Sequence, residues 1–157
     1  MTIVLAGCGK TGYSNDSKFP KDIKSVCLEM FDNQTFRRGV EYDLSDALAK
    51  RIETDTPYKI VSSRERADTV ISGRIISIAE AVLSGERELG GVLEREMESA
   101  TTVTWKNLKT GELLVENEIV RASASYSEYQ SQDAKYAYSI AANNLARKIV
   151  ELMETKW

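Results

Sequence analysis

Apolar and polar positions alternate with two different periods along this chain, and the switches between them mark its elements. From residue 23 to 31, Val26, Leu28 and Met30 share one face at period two, with Ser25 and Glu29 on the other, as in a half-buried strand. Asp32, Asn33 and Gln34 read as the turn that ends it. Over residues 39–54 the period becomes helical. Leu44, Ala47, Leu48 and Ile52 recur on one side, while Asp43, Asp46, Lys50 and Glu53 lie elsewhere. Acidic residues precede basic ones, as the helix dipole favours, and Thr56-Pro57 stops the helix. Residues 58–61 form a short strand candidate and 62–67 a charged turn. Residues 68–83 read as a long strand in which Ile71 and Ile75 share one parity and Ile76 and Ile78 the other. That switch predicts a bulge or twist near 73–76.

The second half continues in the same way. Residues 84–91 carry three glycines and read as a flexible connection. Residues 92–107 form the clearest strand, with Leu93, Met97, Val103 and Trp105 pointing one way and Glu94, Glu96, Glu98, Thr102 and Thr104 the other. Residues 107–111 make a hairpin turn, with Gly111 suited to positive φ, and 113–126 return as the next strand. After a polar loop, residues 133–153 form a final helix with the stripe Ala134, Ala137, Tyr138, Ala141, Leu145, Ile149 and Leu152. Its alanines permit close approach to a sheet. The expected fold is α+β, with two helices on one face of a mixed four- to five-stranded sheet in the order β-α-β-β-β-α. The first crossover implies a parallel, right-handed strand pair.

Composition narrows the function. At 157 residues the chain is one domain that buries roughly 68–70% of its unfolded surface. Its 21 basic and 24 acidic residues leave a net charge of −3, which does not point to nucleic acid. No apolar run approaches the roughly 18 residues that would span a bilayer. With no histidine, the usual general base, triad partner and commonest metal ligand are gone. Two cysteines, Cys8 and Cys27, exclude four-ligand thiolate zinc sites. A carboxylate or Ser–Lys hydrolase finds no supporting motif, so the chain reads as a non-enzyme without metal or cofactor.

The opening residues carry the strongest local signal. Leu5-Ala6-Gly7-Cys8 reads as a lipobox, the cleavage site of bacterial lipoprotein signal peptides. Small residues admit the membrane peptidase, the Cys8 thiol takes a diacylglycerol, and its freed α-amine takes a further acyl chain. Each buried methylene contributes roughly 0.8 kcal/mol, so two or more chains anchor stably where one is marginal. Only seven residues precede Cys8 and none is basic, which departs from a full secretory signal. The expectation is that residues 1–7 are the stub of a signal whose start lies upstream of Met1. Residues 8–22 are then the lipidated N-terminus and polar tether, and 23–157 the single domain. Cys27 has no partner once Cys8 is acylated, and is expected to be buried.

An ordered set of segments carries a family resemblance. Gly9 and Gly12-Tyr13 follow the lipobox. Next come Ile23-Lys24-Ser25-Val26, Met30-Phe31-Asp32-Asn33-Gln34-Thr35 and Leu44-Ser45-Asp46-Ala47-Leu48. Ala67-Asp68-Thr69-Val70-Ile71-Ser72-Gly73 and Trp105-Lys106-Asn107-Leu108-Lys109-Thr110-Gly111-Glu112 follow, and the set closes on Leu145-Ala146-Arg147-Lys148-Ile149-Val150. Together they resemble LptE, the lipopolysaccharide-assembly lipoprotein family of the bacterial outer membrane. The resemblance implies a non-enzymatic role at the periplasmic face of the outer membrane. There such a protein plugs and helps assemble the LptD-like β-barrel and contacts lipopolysaccharide. The alternative is an LpoB-like or CsgG-like periplasmic lipoprotein that regulates a protein partner.

Anionic lipopolysaccharide calls for exposed Lys or Arg. Lys106 and Lys109 flank the hairpin turn and Arg87 lies in the glycine-flanked loop; each also reads as an ordinary solvated charge. Glu94, Glu96 and Glu98 face a polar lumen or water. Trp105 has core parity, whereas Trp157 is terminal. Tyr126, Tyr129, Tyr136 and Tyr138 gather around the last loop.

Overall fold

The computed structural model describes residues 18–85, 92–127 and 132–154. Strand β1 (Ser25–Leu28) buries Val26 on the helix side of the sheet, and Cys27 lies in a separate small apolar cluster with Ala67 and Val70. The strand stops at Leu28, three residues short of the expected end at residue 31. The chain kinks over Glu29 and Met30, so Phe31 turns inward and Met30 outward. Asp32 and Asn33 are therefore no turn. They form β2 (Asp32–Asn33), which rejoins the sheet beside Arg74 and Ile75. This two-residue strand brings the sheet to six strands among the described residues, against the four or five expected.

Helix α1 (Val40–Asp55) starts at Gly39, whose φ of 91° suits a residue without Cβ. It buries Val40, Leu44, Ala47, Leu48 and Ile52. Strand β3 (Lys59–Ile60) then pairs in parallel with β1, which completes a β-α-β crossover. A 3-10 turn at Arg64–Arg66 leads into β4 (Thr69–Gly85), which is parallel to β1 and antiparallel to β5 (Val92–Asn107). β6 (Leu113–Tyr126) completes the order β3-β1-β4-β5-β6, with β2 also on β4. The ladder shifts register between Ile75 and Ser77, as the parity switch predicts. The extra residue lets Ile71, Ile75 and then Ile78 all pack on the core.

Helix α2 (Ala134–Leu152) is capped by the Asp133 carboxylate, which accepts from the Tyr136 amide at 2.7 Å. It packs on α1, β5 and β6. Ala137, Ala141, Ala142 and Ala146 are buried on the helix, and Ser99, Thr101, Ala122 and Ala124 on the two strands beneath. Small residues on both surfaces bring the layers together. The Tyr138 hydroxyl, buried with its pKa raised first by desolvation, donates to the Val40 carbonyl at 2.8 Å and ties the starts of the two helices.

Gly73 shows why its motif ends in glycine. A Cβ there would overlap both the Thr102 carbonyl oxygen and the Phe31 ring. Trp105 is buried against Tyr58 at a ring distance of 6.1 Å, and Tyr58 in turn meets Phe19 edge-on at 5.8 Å. Trp105 is thus a core residue. No helix among the described residues is long and apolar enough to cross a membrane.

Candidate functional site

The hairpin turn between β5 and β6 carries two of the cations expected to meet an anion. Its geometry follows from Asn107. The Asn107 side-chain oxygen accepts from the Lys109 and Thr110 amides at 2.9 and 3.2 Å, and its carbonyl accepts from Gly111 at 3.0 Å. Gly111 closes the turn with a φ of 77°. This arrangement fixes the backbone of Lys109 at the tip and leaves Lys106 in the ladder, opposite Val70 and Leu113.

Lys109 does not stand free. Its ammonium lies 2.5 Å from Asp68, whose side chain is 14% exposed. The other Asp68 oxygen accepts from the Lys24 and Ser25 amides at 2.8 and 3.0 Å. The Asp68 amide donates to Ser25 Oγ at 2.9 Å, and its carbonyl accepts from Leu108 at 2.8 Å. Asp68 thus joins the starts of β1 and β4 to the hairpin turn. The Lys109 ammonium first, and then the backbone and Ser25 donors, hold its carboxyl at about 2, well below the usual 3.8.

A depression of about 500 Å³ opens beside this knot, lined by Arg64, Glu65, Arg66, Ala67, Asp68, Leu108 and Lys109. Arg64 is paired with Glu29 at 2.9 Å. Among the described residues, Arg66 and Lys106 make no ion pair. Arg64, Arg66 and Asp68 are contributions the sequence reading did not assign to the site. Its signals for them were the charged turn at 62–67 for the two arginines and, for Asp68, the family segment that begins Ala67-Asp68. Cys8, Arg87, Tyr129 and Trp157 lie outside the described residues.

A second depression, of about 570 Å³, lies where the two helices begin and is lined by Arg37, Arg38, Asp43, Lys135 and Tyr138 among others. Arg37 is ion-paired to Glu80 on β4. The acidic row lies on the face of the sheet away from the helices. There Glu98 is 3.9 Å from Arg121, Glu94 is exposed and Glu96 half-buried. Tyr126 and Tyr138 are buried while Tyr136 is exposed. The described residues contain no group of three or more metal-ligating side chains.

The sequence profile of the LptE lipopolysaccharide-assembly family matches residues 23–156, nearly the whole domain. The chain belongs to the LptE family. No curated protein matches it. Solved structures share this fold at low identity. The hypothetical protein CT253 from Chlamydia trachomatis has a TM-score of 0.59 at 12% identity, covering 82% of this chain and 94% of that one. The uncharacterized lipoprotein B from Nitrosomonas europaea has 0.56 at 16%, covering 96% and 88%. The rare lipoprotein B from Shewanella oneidensis has 0.55 at 14%, covering 83% and 93%. At such identities they show the fold alone.

Proposed function

We propose that this protein is a lipid-anchored component of the lipopolysaccharide translocon, seated in an LptD-like β-barrel at the periplasmic face of the outer membrane. The observation that carries this reading is the family match over residues 23–156. The lipobox Leu5-Ala6-Gly7-Cys8 supports the anchor, and Cys8 is the residue that would bear the lipid. In this reading residues 1–7 belong to the signal peptide, 8–22 to the tether and 23–157 to the working domain, with no catalytic step and no cofactor beyond that lipid.

Lipopolysaccharide contact falls to Lys106, Lys109 and Arg87 in this proposal. Lys106 is the most available of those described, since Lys109 is engaged by Asp68. The test is membrane fractionation with mass spectrometry of the N-terminal peptide, followed by affinity purification. The expected result is an acylated Cys8, a co-purifying outer-membrane barrel and loss of surface lipopolysaccharide on depletion. A protein recovered without any barrel from cells that make one would overturn the reading. In a binding assay, Lys106→Ala should weaken lipopolysaccharide capture more than Lys109→Ala; unchanged capture by both would remove the hairpin from the site.

A further inference from the structure

The outermost long strand, β6, presents fourteen residues whose far side no strand covers among the described residues. Such an edge is a template for pairing with another chain, and natural sheets block it with lysines, bulges or covering elements. Two side chains one turn apart on α2 reach across this edge. Asn144 Nδ2 donates to the Ser123 carbonyl at 3.0 Å, and Lys148 Nζ donates to the Arg121 carbonyl at 2.6 Å. Alternate residues of an antiparallel strand turn their N–H and C=O to opposite sides. The carbonyls of 121 and 123 are those turned away from β5, so the two donors occupy consecutive outward acceptors.

The other half of the strand is treated differently. The β5–β6 register shifts between Val103 and Trp105, and Asn117, inside the shifted stretch, has a φ of 45°. An irregularity of this kind bends an edge and breaks its pairing surface. Beside it, Ile119 is an exposed large apolar side chain. We propose that Asn144 and Lys148, with the Asn117 bulge, form a guard that keeps the β6 edge from pairing with β6 of a second copy of this chain. The lysine adds charge repulsion to the hydrogen bond, because two copies meeting edge to edge bring two ammonium groups together.

The test is sedimentation of the full chain over a concentration series, comparing wild type with Asn144→Ala/Lys148→Ala. The double variant is expected to self-associate roughly tenfold more tightly or better, from the freed edge hydrogen bonds. Adding Ser123→Pro removes an outward N–H without touching the ladder to β5, and should return it to wild-type behaviour. Circular dichroism reports folding. If the double variant does not fold, Lys148→Ala alone, at an exposed position, carries the comparison. Sedimentation equal to wild type at every concentration, or association that Ser123→Pro leaves untouched, overturns the proposal.

Discussion

Replacing Asp68 by Asn removes one charge and little volume, and its cost should depend on pH in a defined way. The carboxyl is held at about 2 against an ordinary 3.8, which corresponds to about 2 kcal/mol of stability at neutral pH. The lowered value means that the native state holds the proton less tightly than the unfolded chain. Stabilisation is therefore complete above the ordinary value, declines as pH falls from about 4, and is gone below about 2. Asp68→Asn should lose about 1–2 kcal/mol in urea denaturation at pH 7, and a few degrees of melting temperature for a chain of this size. The gap to wild type should close as pH approaches 2. Asp68→Ala should lose more, about 2–4 kcal/mol, because the Lys24 and Ser25 amides then have no acceptor. Lys109 is the largest cause of the lowered pKa, yet its side chain is 69% exposed, so water and salt screen it. Lys109→Ala should accordingly cost under about 1 kcal/mol. A gap between Asp68→Asn and wild type that stays constant from pH 7 to pH 2 would refute the argument. So would a Lys109→Ala loss as large as that of Asp68→Asn.

Other positions give sharper stability outcomes. Gly73→Ala forces a methyl group into the Thr102 carbonyl and the Phe31 ring; it should destabilise by about 1–3 kcal/mol in denaturant titration. Gly111→Ala, at a φ of 77° with open space around it, should cost about 1 kcal/mol, from backbone strain alone. Leu48→Ala or Leu145→Ala, each fully buried, should cost about 2–5 kcal/mol by leaving a cavity. The Cys27 thiol, free and buried, should resist alkylation in the native protein and react fully in denaturant; rapid native labelling would contradict its placement.

What the chain shows locally, it shows well. β5 and β6 begin and end where the alternation and the Asn107–Gly111 turn say they should, because period two and turn chemistry are properties of neighbouring residues. Both helices start within a residue of positions 39 and 133, where the helical period begins, for the same reason. The β4 bulge is legible too, since a change of apolar parity is itself a local signal. The break between β1 and β2 is not. Met30 continues the alternation, whereas the inward turn of Phe31 depends on a distant partner, the Cβ-free Gly73 whose side its ring occupies. The insertion of β1 between β3 and β4 is likewise set by pairings 34 and 43 residues distant in sequence.

The charged site fails to be legible for a related physical reason. A lysine in a hairpin tip looks the same whether it faces solvent or an acid, and Asp68 lies far from Lys109 in sequence. Once Asp68 takes Lys109, the cation serves the junction of β1, β4 and the turn. An anion that recruited Lys109 would have to compete with a carboxylate at 2.5 Å, loosening a contact that the backbone donors of Lys24 and Ser25 help to fix. Lys106 and Arg66 carry no such obligation among the described residues. Charge available to a ligand at this end of the sheet therefore lies on Lys106 in β5 and on Arg66 in the 3-10 turn before β4 rather than at the hairpin tip, and substitutions that separate the proposed binding from folding belong at Lys106 and Arg66.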